Sequence, residues 1–250
     1  DQHDLTILMA EKYGTKFTHI PSIKVFLSKT NLGERETTSR SRSLLFIGLA
    51  LLLAEPKKVN IIVPENGTVS LNFPLSPSRR SSCSTRTTHP TFLKYVQQIF
   101  SNLGIQTKIE NPYRFKTKGE MVESCANKAF LNTILDKSNS CGKRGHRAHW
   151  DKPGSHCGIC MPCIYRRSSL INNDNTEYGN DLNTLNGTFV FRKKWQDVGS
   201  MLDFLHEKVE PNKLKFELIS NGLQDQKNLY EYIDLVIRTK KELSNWVKSK

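Results

Sequence analysis

The chain has 250 residues, 37% apolar and 24% charged, enough for one large domain or two small ones around a real core. Its 37 Lys and Arg against 24 Asp and Glu leave a formal net charge of +13. That excess suits anionic partners (nucleotides, nucleic acid, acidic proteins, a membrane surface) without choosing among them.

In chain order, the opening DQHDLTILMAEKYG carries no signal-peptide pattern and reads as the interior of a helix, so residues upstream are expected. KFTHIP, Lys16 to Pro21, reads as a short strand. Arg42 to Glu55 reads as a buried helix, apolar on nearly every side. Its run Leu44 to Ala54 is 11 residues long, against the roughly 20 that a membrane span needs, which excludes a span here. VNIIVP, Val59 to Pro64, is β-branched and closed by proline, the pattern of a buried strand. His89-Pro90 opens a helix over Thr91 to Leu103, ended by Gly104. IQTKIE follows as a strand, and Lys116 to Lys137 reads as one helix. Strands separated by helices of this length imply an α/β fold with a parallel sheet, which takes its ligands at the carboxyl ends of the strands.

From about Asn139 the pattern changes to Cys, Gly, His and Ser. Asn172 to Thr188 is a polar loop, and Gln226 to Lys250 has helical apolar spacing. Three parts are expected: residues 1–138 as an α/β unit, 139–171 as a metal loop with its following helix, and 172–250 as a polar loop with a helical extension. In the cytoplasmic, reducing setting expected here a disulfide framework is not the use of the cysteines, and their clustering points to metal.

HCGICMPC, residues 156–163, places Cys157, Cys160 and Cys163 at intervals of three. Two residues between ligands let a turn aim both sulfurs inward, with backbone N–H groups facing them, and zinc takes four such ligands in a tetrahedron. A fourth ligand is expected nearby: Cys141 first, with His156, His149 and His146 competing. A redox pair is disfavoured by the third cysteine, and an iron–sulfur cluster is the main competing metal group. Cys83 and Cys125 stand alone and read as small buried residues. Four cysteines close the shell, so the metal would hold a loop rather than catalyse. Arg166 and Arg167 follow the last ligand at the expected start of a helix, where one would reach an anion or both would be solvated.

Together these residues resemble the QueC family, the 7-cyano-7-deazaguanine synthases. The cysteine, the gap and the CGICMPCIYRR run are similar to that family's zinc loop, which makes Cys141, Cys157, Cys160 and Cys163 the ligands and a structural Zn²⁺ the cofactor. KTKGEMV resembles the family's Lys-x-Glu segment, on Lys118 and Glu120. SRSRSLLFIGLALLLAE resembles its arginine-led helix, on Arg42, and STRTTHPTFL its DCRPEF-type segment, on Arg86. The likeness spans about residues 5–171. The insert between Pro64 and His89 and the polar extension are closer to the QueC-like branch of the Qat anti-phage defence systems (QatC).

The resemblance implies a parallel-sheet PP-loop ATPase fold, of the adenine nucleotide alpha hydrolase type. It implies a ligase-type activity: ATP, with Mg²⁺, adenylates a 7-deazaguanine carboxylate with release of pyrophosphate. Ammonia then gives an amide, and a second activation the nitrile. For the defence branch it implies transfer of the base to an amine on a partner protein. The family's S-G-G-x-D-S loop is absent from this sequence, and SSCSTR and PSRRSS lack the glycines to replace it. Expected nucleotide or substrate contacts are Arg42, Glu65, Asn66, Arg86, His89, Lys118, Glu120 and Arg166, with Ser81 and Ser82 in the same basic loop as Arg86. For Glu65 and Asn66 a plain turn is the competing reading, and for Lys118 and Glu120 first-turn helix charges. The alternatives are a basic zinc-ribbon module for nucleic acid and a non-catalytic scaffold of a defence complex.

Overall fold

The computed structural model describes residues 2–14, 42–76, 86–171, 173–180, 182 and 195–249. The expected strand at Lys16 to Pro21 and Ser81, Ser82 and Cys83 lie outside the described residues, as does the side chain of Arg42. Helix α1 spans Gln2–Tyr13 and α2 spans Arg42–Ala54. Then come β1 (Ile61–Ile62), α3 (Gly67–Leu71), α4 (Pro90–Asn102) and β2 (Ile109–Glu110). The fold continues through α5 (Lys118–Glu123), α6 (Lys128–Ile134) and α7 (Met161–Ser169) to α8 (Gln196–His206), α9 (Pro211–Ser220) and α10 (Leu229–Lys248).

Among the described residues the sheet has two strands. They run parallel, with Ile61 opposite Ile109 and Ile62 opposite Glu110, and the chain crosses between them through α3 and α4. This is a mixed helical fold with a small parallel sheet. Gln97 on α4 lies along β2: its side-chain oxygen accepts from Ile109 N–H at 2.8 Å and its amide donates to Thr107 C=O at 3.2 Å.

Two cores form. The smaller joins Ile47 and Ala54 of α2, Ile61, and Val96 and Phe100 of α4. One stripe of α2 suffices for it, so the helix reading holds but the burial reading does not: Leu44, Phe46 and Leu52 face outward, as does Ile62 of β1. The larger core takes Leu71, the four clustered cysteines, Met201 of α8, Leu218 of α9, and Tyr232, Leu235, Leu243 and Trp246 of α10. The amphipathic period of α10 supplies one continuous face to it, against α7, α3, α8 and α9. The metal loop and the C-terminal helices thus share a single core.

The helix expected over Lys116 to Lys137 is two helices. Thr117 and Glu120 form a capping box that starts α5. Ser124 ends it, and the Asn127 side chain accepts from Phe130 N–H at 3.0 Å to start α6. Apolar spacing continues across the break, but a short polar side chain captures the backbone first.

Small helix α3 is the joint between the cores. Asn66 caps it by accepting from Val69 N–H at 3.0 Å, and Gly67 N–H donates to Lys116 C=O at 2.8 Å. A Cβ on Gly67 would lie 2.2 Å from the Arg114 carbonyl oxygen and 2.7 Å from Leu235. Gly67→Ala is therefore expected to destabilise the protein by about 3 kcal/mol or more, since backbone cannot yield as a side chain does. Urea unfolding checks this, and a wild-type midpoint would contradict the packing described.

Candidate metal centre and adjoining cleft

Cys160 immediately precedes α7 and Cys163 sits in its first turn, so helix geometry fixes the spacing of two sulfurs. Gly158 makes the knuckle before them with φ of +80°, a conformation that a side chain would strain, and its Cβ would strike Arg167 and Tyr178. Cys141 arrives from a segment 16 residues upstream. The four sulfurs lie within 4.8 Å of one another, all in buried residues, and Cys157 and Cys163 Sγ are 3.8 Å apart. A tetrahedral ion with metal–sulfur bonds of about 2.3 Å needs sulfur–sulfur edges of about 3.8 Å, so the set fits a metal. Cys157 N–H donates to Cys141 Sγ at 3.3 Å, and Cys160 N–H to Cys157 Sγ at 3.4 Å, as thiolate acceptors require.

Thiol chemistry points the same way. Hydrogen bonds from the other three sulfurs lower the pKa of Cys141; Cys157 is raised by Cys141 but lowered more by Cys160 and Cys163 together, to about 7, while Cys141, Cys157 and burial push Cys160 and Cys163 up. Four thiolates at this spacing cannot all ionise without a cation among them.

The competing histidines are used otherwise. His156 is buried, and burial, aided by Arg166, pushes its pKa down to about 4. The neutral ring accepts Ser140 N–H on Nε2 at 3.2 Å, and its Nδ1 faces Ser155 Oγ at 2.9 Å. His146 and His149 stand exposed on the loop, with ring centroids 6.4 Å apart.

Residues that pattern reasoning passed over hold the loop. Met161 N–H, at the uncapped start of α7, donates to Asp197 Oδ2 on α8 at 3.1 Å. The polar segment 174–180 straps the loop from outside. Asn180 donates to Cys157 C=O at 2.6 Å, Gly179 C=O accepts from Asp151 and Lys152 N–H, and Arg167 lies 3.7 Å over the Tyr178 ring. Single polar residues in a polar stretch carry no periodic signal, so nothing short of the fold reveals them.

Arg166 and Arg167 lie in the last turn of α7 rather than at its start. Arg166 is 3% exposed and spends its guanidinium on Thr176 at 2.9 Å, Ser138 at 2.8 Å and Leu135 C=O at 2.6 Å. It ties the loop together and faces neither reading made from the sequence, an anion or solvent.

Glu65, Asn66 and Lys118 come together past the carboxyl end of β1. Glu65 Oε1 accepts from Asn66 N–H at 3.2 Å and from the Asn66 side chain at 3.0 Å. Burial draws the Lys118 ammonium down from its usual pKa, seconded by Arg166, while Glu65, Cys163 and Glu242 oppose the shift. Glu242 of α10, invisible to the motif reading, completes the group: it accepts from Gly119 N–H at 3.1 Å and Ser168 Oγ at 3.2 Å, and burial raises its pKa. Burial raises that of Glu65 too, against the field of Lys118. Glu120 turns the other way, into the capping box and an ion pair with Arg238.

Arg86 and His89 belong to a separate polar group. Arg86 donates to Asn221 C=O and to its side-chain oxygen, both at 2.5 Å. His89 caps α4, its Nδ1 accepting from Thr91 N–H at 3.3 Å, and its buried Nε2 finds no hydrogen-bond partner among the described residues. The two groups meet through α3, where Ser70 bonds Thr88 at 2.9 Å and Asn111 at 3.1 Å. Arg42 starts α2 as expected.

No family model matches the chain, and neither the curated proteins nor the solved structures provide a match. No helix among the described residues is long and apolar enough to cross a membrane.

Two outcomes are expected. Purified protein carries about one metal equivalent by elemental analysis, and Cys163→Ser carries under half; because thiolate ligands must shed protons to bind, acid releases the metal. Burial holds His89 neutral, lowering its pKa from an ordinary 6.5 to about 4. Its contribution is intact above 6.5 and is lost as pH falls toward 4, by up to about 3 kcal/mol. His89→Asn, which keeps a capping acceptor, flattens that part of the wild-type stability profile; an unchanged slope would contradict the assignment.

Proposed function

We propose that the chain is QueC-like, a PP-loop-type enzyme that uses ATP to activate the carboxylate of a 7-deazaguanine base, with zinc in the four-cysteine site. The observation that carries this reading is Lys118, desolvated past the end of a parallel strand, where it feels the charges of Glu65, Cys163 and Glu242. Ligands of open α/β sheets gather at that edge.

A carboxylate is a poor electrophile. Its oxygen attacks the α-phosphorus of ATP, pyrophosphate departs, and the acyl group gains AMP as a leaving group; an amine or ammonia then displaces AMP. Lys118 is suited to meet the anionic oxygens as charge moves, and partial burial strengthens that interaction. Glu65 and Glu242 are acceptors for N–H groups on the edge of the base. Zinc, once bound, lends structural support only: four sulfurs fill its shell, and the loop it pins carries Cys163 against Lys118.

An exposed basic loop favours a second reading. His146, Arg147, His149 and Lys152 project from the metal loop into solvent, as a zinc-ribbon nucleic-acid module would present them.

The test uses the purified, metal-loaded protein. With ATP and 7-carboxy-7-deazaguanine, release of AMP and pyrophosphate is expected, and Lys118→Met lowers the rate at least about 100-fold with metal content unchanged. Mass spectrometry separates free amide or nitrile from a protein adduct. Folded, metal-loaded protein that releases no AMP sinks the enzyme reading, and salt-sensitive DNA or RNA binding would then support the second.

A further inference from the structure

A second cleft, of about 630 Å³, opens past the carboxyl end of β2. One wall is the first half of α4, and the other is the turn 221–228 that joins α9 to α10. None of its lining residues is shared with the cleft of about 430 Å³ around Glu242 and Ser168.

The frame of this cleft is fixed before any ligand arrives. Thr91 Oγ1 donates to Gly222 C=O at 2.7 Å and accepts from Gln224 N–H at 3.1 Å. Tyr95 OH donates to Gln224 at 2.8 Å, and Arg86 clamps Asn221 from behind. The turn is thereby fastened to α4.

Three cations line this frame: Lys94, Arg114 and Lys227. None has an ion-pair partner among the described residues. Arg114 is held 4.7 Å over the Phe115 ring, which orients its guanidinium and leaves the N–H fork unspent. One carboxylate, Asp225, also lines the cleft, and it is occupied by the Asn228 amide at 2.8 Å and the Asn228 N–H at 3.4 Å. Three cations without an ion pair among the described residues, around one internally bonded carboxylate, make a site for an anion of two or more charges. An arginine fork and lysine point charges are the usual phosphate ligands, and the volume matches a small organic molecule.

We infer that this cleft binds a phosphate-bearing ligand of nucleotide size, and that the segment after α9 is present to supply half of the site. The inference stands apart from the proposed carboxylate activation: it uses no residue of the Glu65, Lys118 and Glu242 group, and its test reads binding rather than AMP.

The experiment is calorimetric titration of the metal-loaded full chain with inorganic pyrophosphate, ADP and a 5′-phosphorylated ten-nucleotide DNA. Pyrophosphate and ADP bind, more weakly as salt is raised. The triple variant Lys94→Ala, Arg114→Ala, Lys227→Ala weakens them at least tenfold, with unchanged circular dichroism and metal content because all three side chains are exposed. Tighter binding of ADP than of the oligonucleotide makes the natural source a free nucleotide; the reverse order makes it a strand end, with the same phosphate contacts. Absence of binding at millimolar pyrophosphate and ADP overturns the inference. So does a triple variant that binds as wild type.

Discussion

Four sulfurs from two distant segments must share a few ångströms of space, and that requirement organises the larger half of the molecule. Cys163 and Ile164 behind it are fully buried, so the cluster is part of the hydrophobic core. Around it, α7 takes its direction from Cys160, Asp197 receives the start of that helix, and the segment 174–180 closes over the knuckle. The four-cysteine cluster thus lies where the metal loop meets the C-terminal helices, and α10 packs on α7 within the same core.

Short-range chemistry was legible in the sequence. The apolar periods at Thr91 to Leu103 and Gln226 to Lys250 correspond to α4 and α10, and the cysteine spacing corresponds to the observed cluster. These signals are local: a helix repeats within itself, and a knuckle spans four residues. Side-chain orientation was not legible. Arg166 and Glu120 sit in motifs suggestive of ligand contacts, yet tertiary partners from 135–138, 176 and α10 had claimed them. Glu242 was missed for the converse reason, being one of three acids on a charged helix whose polar positions read as a solvated face until the start of α5 is laid against it.

The polar groups on either side of α3 are coupled through that short helix. Its capping residue Asn66 bonds Glu65 on the zinc side, while Ser70, one turn along, bonds Thr88 next to His89. Thr68 meets Thr239 of α10 at 2.7 Å between them. Five residues with all of these anchors have little freedom to tilt, so a displacement at either end is carried to the other as a rigid movement.

Gln97 has a consequence for assembly. Strand edges invite other strands, and an unguarded one is a route to aggregation. On β2 the Gln97 amide occupies both the Ile109 N–H and the Thr107 C=O, mimicking a neighbouring backbone. A newcomer would have to evict that side chain first. Among the described residues the open edge of this sheet is therefore that of β1, and any additional strand, from this polypeptide or another, is steered there.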